Sequence, residues 1–361
     1  MIYSIPMVAI IKKPNKKEVT TILGKDVHKI IEKYSDREKY QEYRRKWELA
    51  SKLSYVPDFP LQIDFELNYS CNFTCEMCTW SAENTSGKGK KTWFSFEAYK
   101  EIIDEGVKKG LKAIRLNYIN EPLIRKDIID FIEYAKKKGV LDIYLSTNGS
   151  LLKEKFILKL INSGLTRIQV SIDAFTKPTF DKIRQGGNFS DVVKNTLNFL
   201  KIRKDLNKEL PTLRVNFVRT DLNKHEYEDF ISFWSNKADC IGIQDLVDIM
   251  KPSKTKNKLK KFNCAQPFYH LTVRYDGTIL PCCTFFAAKL PISRLKTNNK
   301  VSDEANLHKI DYDKLPIRNI ADTWFSEEIK YLRKIHIDGN YHLNSVCKEC
   351  VSSTSNYDDT V

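Results

Sequence analysis

Cys71-Asn72-Phe73-Thr74-Cys75-Glu76-Met77-Cys78 sets three thiols at C-x3-C-x2-C spacing, just after the short apolar run 61–67. A loop of this length can turn three thiolates toward one point. Three is one short of a closed zinc site, which takes four ligands. It is also one short of an all-cysteine 4Fe–4S cluster, in which each iron takes one protein sulfur. A cubane held by three cysteines keeps one iron open to a small-molecule ligand. Half of a zinc site, or a group of buried free thiols, is the plainer reading of the same residues.

A second set lies near the other end of the chain. Cys264 precedes the alternating run 268–273, and Tyr275-Asp276-Gly277-Thr278 reads as a hairpin turn. Pro281-Cys282-Cys283 follows, and Cys347-Lys348-Glu349-Cys350 comes later. One cysteine before a hairpin, one after it and a C-x2-C supply four thiolates to one site. A four-cysteine zinc ribbon uses similar spacing, so geometry alone leaves zinc and iron–sulfur both open. Cys240 and one of the pair Cys282 and Cys283 are then spare. Cys240 opens a strand and reads as core.

The chain has 361 residues, enough for one large domain and a smaller one. Apolar content of 42% and charge of 29% describe a soluble globular protein. No apolar run approaches the ~20 residues of a membrane helix. Residues 1–11 are apolar but lack a basic leader and a cleavage site, so retention in the cytoplasm is expected. Nine cysteines, an odd number, then speak for reduced, metal-binding thiols rather than disulfides. The formal charge of +14 comes from lysines spread along the whole chain. That is the pattern of a solubilising surface, and nucleic acid is not the expected partner. An anionic small molecule fits the charge better. The densest run, 251–261, reads as a solvated linker.

These residues need elements to hold them. Residues 1–56 form an N-terminal extension whose one clear element is a charged helix from Asp36 to Lys52, with Tyr40, Tyr43, Trp47 and Leu49 as a partial apolar face. From residue 57 strand and helix alternate. Strands are expected at 62–67, 113–118, 141–145, 167–172, 213–218 and 240–246. Helical stripes fall between them, one capped by Ser95 and closed by Gly110, another closed by Gly139, a third by Gly164 and a fourth capped by Ser190. Parallel strands need such crossovers. The fold class is α/β: a partial (β/α)6 TIM barrel at 57–250 and a small auxiliary domain at 251–361. Catalytic groups are expected at the C-terminal ends of the strands.

With the first cysteine loop, this order of segments resembles the radical S-adenosylmethionine (radical SAM) superfamily. The resemblance implies a 4Fe–4S cluster on Cys71, Cys75 and Cys78 whose open iron is chelated by the amino and carboxylate groups of SAM. Met77 stands where many members carry an aromatic residue and is expected near the adenine. Asn120-Glu121-Pro122 resembles the family's Gly-Gly-Glu-Pro stretch, which meets the SAM amine, with Asn120 replacing a glycine. Ser146-Thr147-Asn148-Gly149 resembles the segment that reaches the ribose, and Ser171 ends the next strand. Arg184 is placed to hold the SAM carboxylate. Each segment has a plain alternative: Thr-Asn-Gly is an ordinary turn, Asp173 a cap, Glu121 a partner for a lysine.

The later pattern C-x12-G-x4-C with C-x2-C resembles the auxiliary domain called SPASM, or its shortened form, twitch. This implies one auxiliary 4Fe–4S cluster on Cys264, Cys282, Cys347 and Cys350. Cys282 is preferred to Cys283 for its spacing from Gly277. The implied reaction is reductive cleavage of SAM to a 5′-deoxyadenosyl radical, which removes a hydrogen atom from a substrate in the barrel mouth. The C-terminal domain is expected to act partly as a lid. Passing a second electron to the auxiliary cluster would oxidise an alcohol of a sugar, aminocyclitol or sugar nucleotide. Alternatives are epimerisation with Cys283 as hydrogen donor, modification of a peptide and, outside enzymes, a zinc and RNA-binding protein. A small-molecule substrate and an external electron donor such as flavodoxin or ferredoxin are the expected partners.

Overall fold

The computed structural model describes residues 20–78, 81, 92–246, 262–296 and 311–354. The apolar segment 1–11 and the linker 251–261 lie outside these. The chain begins with strand β1 (Thr20–Gly24) and helices α1 (Val27–Lys33) and α2 (Arg37–Ser51). The Asp36 side chain caps α2 by accepting from the Lys39 amide, as a short carboxylate at a helix start should.

The six expected strands follow: β2 (Gln62–Phe65), β3 (Ala113–Arg115), β4 (Asp142–Thr147), β5 (Arg167–Ser171), β6 (Thr212–Arg219) and β7 (Cys240–Asp245). Each runs parallel to the next. Their crossovers are α3 (Phe96–Lys109), α4 (Ile128–Lys138), α5 (Glu154–Asn162), α6 (Lys177–Ile183) with α7 (Phe189–Asp205), and α8 (Tyr227–Trp234). Gly110 and Gly139 close their helices at φ 118° and 97°, where a side chain would be strained. The α7 cap is Asn188 rather than Ser190, because the Asn188 side chain accepts from the Asp191 amide. Helix α6 carries no clear stripe in the sequence. β3 stops short of Tyr118 because the Asn117 side chain, not its backbone, takes the Ser146 amide at 2.8 Å.

The sheet does not end with β7. Strands β8 (His270–Val273), β9 (Thr278–Leu280) and β10 (Ser293–Arg294) extend it beyond β2, and β1 adds to β7, in the order β1-β7-β6-β5-β4-β3-β2-β8-β9-β10. β8 is parallel to β2, so seven consecutive neighbours are parallel, from β7 through β2 to β8. The N-terminal extension thus covers one edge of the sheet. The C-terminal segment grows sideways from the first barrel strand, because β8 pairs its backbone with β2. At the mouth end its hairpin tip and the segment after β9 pack on the barrel: Tyr275 stacks on Tyr69 with centroids 4.7 Å apart, and the Tyr118 hydroxyl donates to Thr284 O at 2.7 Å.

Alternation along the strands sets two faces. Ile63, Phe65, Ile114, Leu145, Val170 and Val215 pack in the core with the helices. The residues between them turn to the concave side, and there the chain is polar: Asp64, Arg115, Tyr144, Gln169, Arg214 and His270 line a lumen. Among the described residues no helix is long and apolar enough to cross a membrane.

Candidate active site

The first cysteine trio leaves β2 at its C-terminal end. Two backbone bonds hold it against the segment after β5: Thr74 donates to Gln185 O at 2.9 Å and Glu76 to Ile183 O at 3.3 Å. Gly187 makes this approach possible, since a Cβ there would lie 2.5 Å from the Phe73 ring. The Arg184 guanidinium, ion-paired with Asp173, donates to Cys75 Sγ at 3.5 Å. Burial pushes the Cys71 thiol up to about 12, helped by Glu121 and the neighbouring thiols; Cys75 is raised by burial and partly relieved by Arg184. Three soft donors that repel one another's ionisation fit a cation that would take their protons' place.

The expected SAM-contact residues gather around this loop. Asn120 donates to Asn68 Oδ1 at 2.6 Å, and Glu121 N donates to Ser70 O at 2.9 Å. The Glu121 carboxylate is buried and accepts from Thr147 Oγ1, the Asn148 amide and the Leu123 amide at 2.7, 2.7 and 3.1 Å. It therefore ties the end of β3 to the end of β4, with both oxygens in use. Burial outweighs these donors and raises its pKa to about 7. Asn148 reaches Asn72 Oδ1 at 2.9 Å and Cys71 Sγ at 4.0 Å. Met77 is half-buried against the core. Ser171 ends β5 in register with Asn216. Ser146 turns along the lumen wall and donates to Gln169 Oε1 at 3.1 Å. Asp173, at the end of the fourth expected strand, had a helix cap as its plain alternative. It is fully buried at φ 58° and positions Arg184. Its one signal was its place at the end of a strand.

The second set lies at the other end of the lumen. Cys264 precedes β8, and β9 runs back antiparallel to deliver Cys282 to the same end. Cys347 and Cys350 share a face of α9 (Ser345–Thr354) at i,i+3 spacing. The four line a 290 Å³ cavity with Phe286 and His336. His336 Nδ1 accepts from the Cys264 amide at 3.2 Å. Burial raises all four thiols, to about 11 at Cys282 and about 12 at Cys347 and Cys350. All nine cysteines are free, and this apolar cavity with four thiols fits a closed four-sulfur site.

Cys283 does not line that cavity. Its thiol, His270 and Asp64 offer ligand atoms within 4.8 Å of one another on the lumen side. Arg115 is ion-paired with the same Asp64, which disfavours a metal there. Burial would lower His270, but Asp64 and Cys283 hold it up at about 9. Burial would raise Cys283, but His270 and Arg115 pull it below an ordinary thiol.

A family model described as the radical SAM superfamily matches residues 65–231, and one described as an iron–sulfur cluster-binding domain, SPASM, matches 264–351. The chain belongs to the radical SAM superfamily. Its cofactors are a SAM-binding 4Fe–4S cluster, SAM and an auxiliary 4Fe–4S cluster, as expected. Among curated relatives, the GTP 3′,8-cyclase of Thermodesulfovibrio yellowstonii is 36% identical over 171 residues, 47% of this chain and 50% of the relative. The probable GTP 3′,8-cyclase of Methanocaldococcus jannaschii is 29% identical over 192 residues, 53% of this chain and 59% of the relative. The chain thus spans about half the length of these relatives. Among solved structures, anSMEcpe with bound AdoMet has a TM-score of 0.55 at 13% identity, covering 77% of this chain and 84% of its own. Streptococcus suis SuiB bound to S-adenosylmethionine has 0.54 at 14%, covering 84% and 74%. Both share the radical SAM fold.

Proposed function

We propose that Cys71, Cys75 and Cys78 hold the SAM-binding cluster, that Cys264, Cys282, Cys347 and Cys350 hold the auxiliary one, and that a small-molecule substrate lies in the lumen between them. When bound, the first cluster and SAM supply a 5′-deoxyadenosyl radical that takes a hydrogen atom from the substrate. The observation that carries this reading is the strand register, which sets the first thiol group at the C-terminal end of β2 and Cys264 and Cys282 at the N-terminal end of the neighbouring β8. The protein's own task is positional. Glu121 and Asn148 shape the SAM end, Arg184 neutralises charge beside Cys75, and the helices and sheet exclude water.

The finer reading is oxidation of an alcohol on a sugar, aminocyclitol or sugar nucleotide. One hydrogen atom would leave carbon and the hydroxyl its proton, and a cluster held by Cys264, Cys282, Cys347 and Cys350 would supply the one-electron acceptor that balances the oxidation. Two relatives are named for GTP, so nucleotides belong among the substrates assayed. The position of Cys283 favours a second reading, epimerisation, because its thiol lies on the lumen side beside His270 and Asp64, apart from the four-thiol cavity. Deuterated water separates the two: an epimerised product gains deuterium with no net oxidation. The decisive experiment is anaerobic cluster reconstitution followed by assay for 5′-deoxyadenosine. Alanine at Cys71, Cys75 and Cys78 should abolish it and remove about four of about eight irons. Methyl transfer from intact SAM, with no 5′-deoxyadenosine, would overturn the proposal.

A further inference from the structure

The lumen walls carry a charge that no described residue balances. Arg115 is paired with Asp64, Arg167 with Asp142 and Arg274 with Glu66. Arg214 makes no ion pair among the described residues. Its Nη2 donates to Gln169 Oε1, and its Nε, shut off from solvent, has no hydrogen-bond partner. Its register neighbour on β7 is Cys240, a buried and neutral thiol. A part-buried guanidinium without a counter-charge among the described residues is costly, and burial lowers its pKa. Proteins retain such a group where something else supplies the anion.

Two further features describe a built site rather than a stray side chain. Gly242, on the next strand, leaves Arg214 room to lie along β7. A Cβ there would meet Asn216 Oδ1 at 2.6 Å and Arg214 Cδ and Nε at 3.2 Å. The register also fixes the depth. Arg214 is level with Gln169 and Cys240, one layer below Ser171, Asn216 and Gly242. It therefore lies deeper in the lumen than the residues at the strand ends around the first cysteine loop.

We propose that Arg214 receives an oxyanion of the substrate, a phosphate or a carboxylate, in the lumen between the two thiol sets. The planar guanidinium presents parallel N–H donors that match either group. The proposal rests on the reading that the substrate occupies the lumen, and it narrows the substrate class to molecules carrying an oxyanion.

The test uses the reconstituted, SAM-loaded protein under anaerobic conditions, titrated calorimetrically with inorganic pyrophosphate and, separately, with malonate. One of the two should bind. Tighter binding of pyrophosphate identifies a phosphate ester, and tighter binding of malonate a carboxylate. Arg214→Gln should weaken that binding by about tenfold or more. Arg214→Lys, which keeps the charge but not the parallel donors, should weaken it by less than Arg214→Gln does, and Gly242→Ala, which crowds the guanidinium, should also weaken it. Lys201→Gln, on the exposed face of α7, should leave it unchanged and so exclude general attraction to a basic surface. Iron content and cluster absorbance verify the fold of each variant. If Arg214→Gln does not fold, Arg214→Lys and Gly242→Ala decide the matter. Absence of binding, equal binding by wild type and Arg214→Gln, or equal weakening by Lys201→Gln would overturn the proposal. Reductive cleavage of SAM by the wild-type protein without either anion is measured separately. Its failure would remove the radical reading and leave the anion result standing.

Discussion

Arg184 joins Cys75 to Asp173. One arm of its guanidinium donates to the Cys75 sulfur at 3.5 Å, and the other is ion-paired with a carboxylate that also accepts from the Val218 amide at 2.8 Å. The sequence reading gave Arg184 to the SAM carboxylate. In the fold two of its arms are engaged within the protein, and Nε is without a partner. Asp173→Asn would leave the arginine buried without its counter-charge and should destabilise the protein by about 3–5 kcal/mol. Urea unfolding measures this. Asp173→Asn with Arg184→Gln should cost less than the sum of the two single changes, and strict additivity would show that the pair is not coupled.

Glu121→Gln keeps the side chain's shape but turns an amide N–H₂ toward one of three donors. One buried donor then loses its acceptor, a cost of about 1–3 kcal/mol. The Asn148 turn, which faces Cys71, should loosen. The expected outcome is SAM affinity reduced by roughly tenfold with iron content unchanged, read by anaerobic equilibrium dialysis. Unaltered SAM affinity would show that the carboxylate serves the fold alone.

Gly187→Ala should act on the first cluster from outside it. The new methyl strikes the Phe73 ring, which lies between Cys71 and Cys75 in the chain. Overpacking of this kind costs about 1–3 kcal/mol, and the displaced ring moves the cysteine loop. Iron per chain should drop at the first site, with the four-thiol site still filled. A variant with full iron at both sites would refute this account of the glycine.

His28 predicts the acid limb of stability. It is part-buried, with Nδ1 2.8 Å from the Tyr40 hydroxyl, and burial together with Arg44 lowers its pKa from 6.5 to about 4. Below pH 6.5 the unfolded chain binds a proton that the folded chain takes up only near pH 4. Stability is therefore intact above pH 6.5 and is lost as pH falls toward 4, by up to about 3 kcal/mol. His336, lowered to about 4 by burial, acts in the same direction. Urea melts of His28→Gln against wild type should show a shallower decline between pH 6.5 and 4. Parallel declines would mean that His28 is as readily protonated in the fold as in the unfolded chain.

Most of the barrel was legible because the sequence repeats one local device. Val170 and Ile168 alternate as a half-buried strand must, and Gly110 and Gly139 end helices where only glycine is comfortable. The cysteine loops were legible for the same reason, since ligand spacing is local. The sideways course of β8 was not legible. Its partner is β2, separated from it by about two hundred residues, and four residues of alternation do not say which edge they will join. The Asn188 cap was missed because Asn188 and Ser190 are both acceptable caps two residues apart.

By itself, then, the sequence determined what is set within a few residues: which thiols stand together, where strands alternate and where helices stop. Tertiary structure alone decided that Asp173 grips Arg184, that both Glu121 oxygens are engaged, that Cys283 turns away from its neighbour Cys282 toward His270, and that Arg214 has no counter-charge among the described residues. The physical reason is that charge pairing and hydrogen-bond satisfaction depend on distances across the lumen. Those distances come from strand register, and strand register is a property of the assembled sheet.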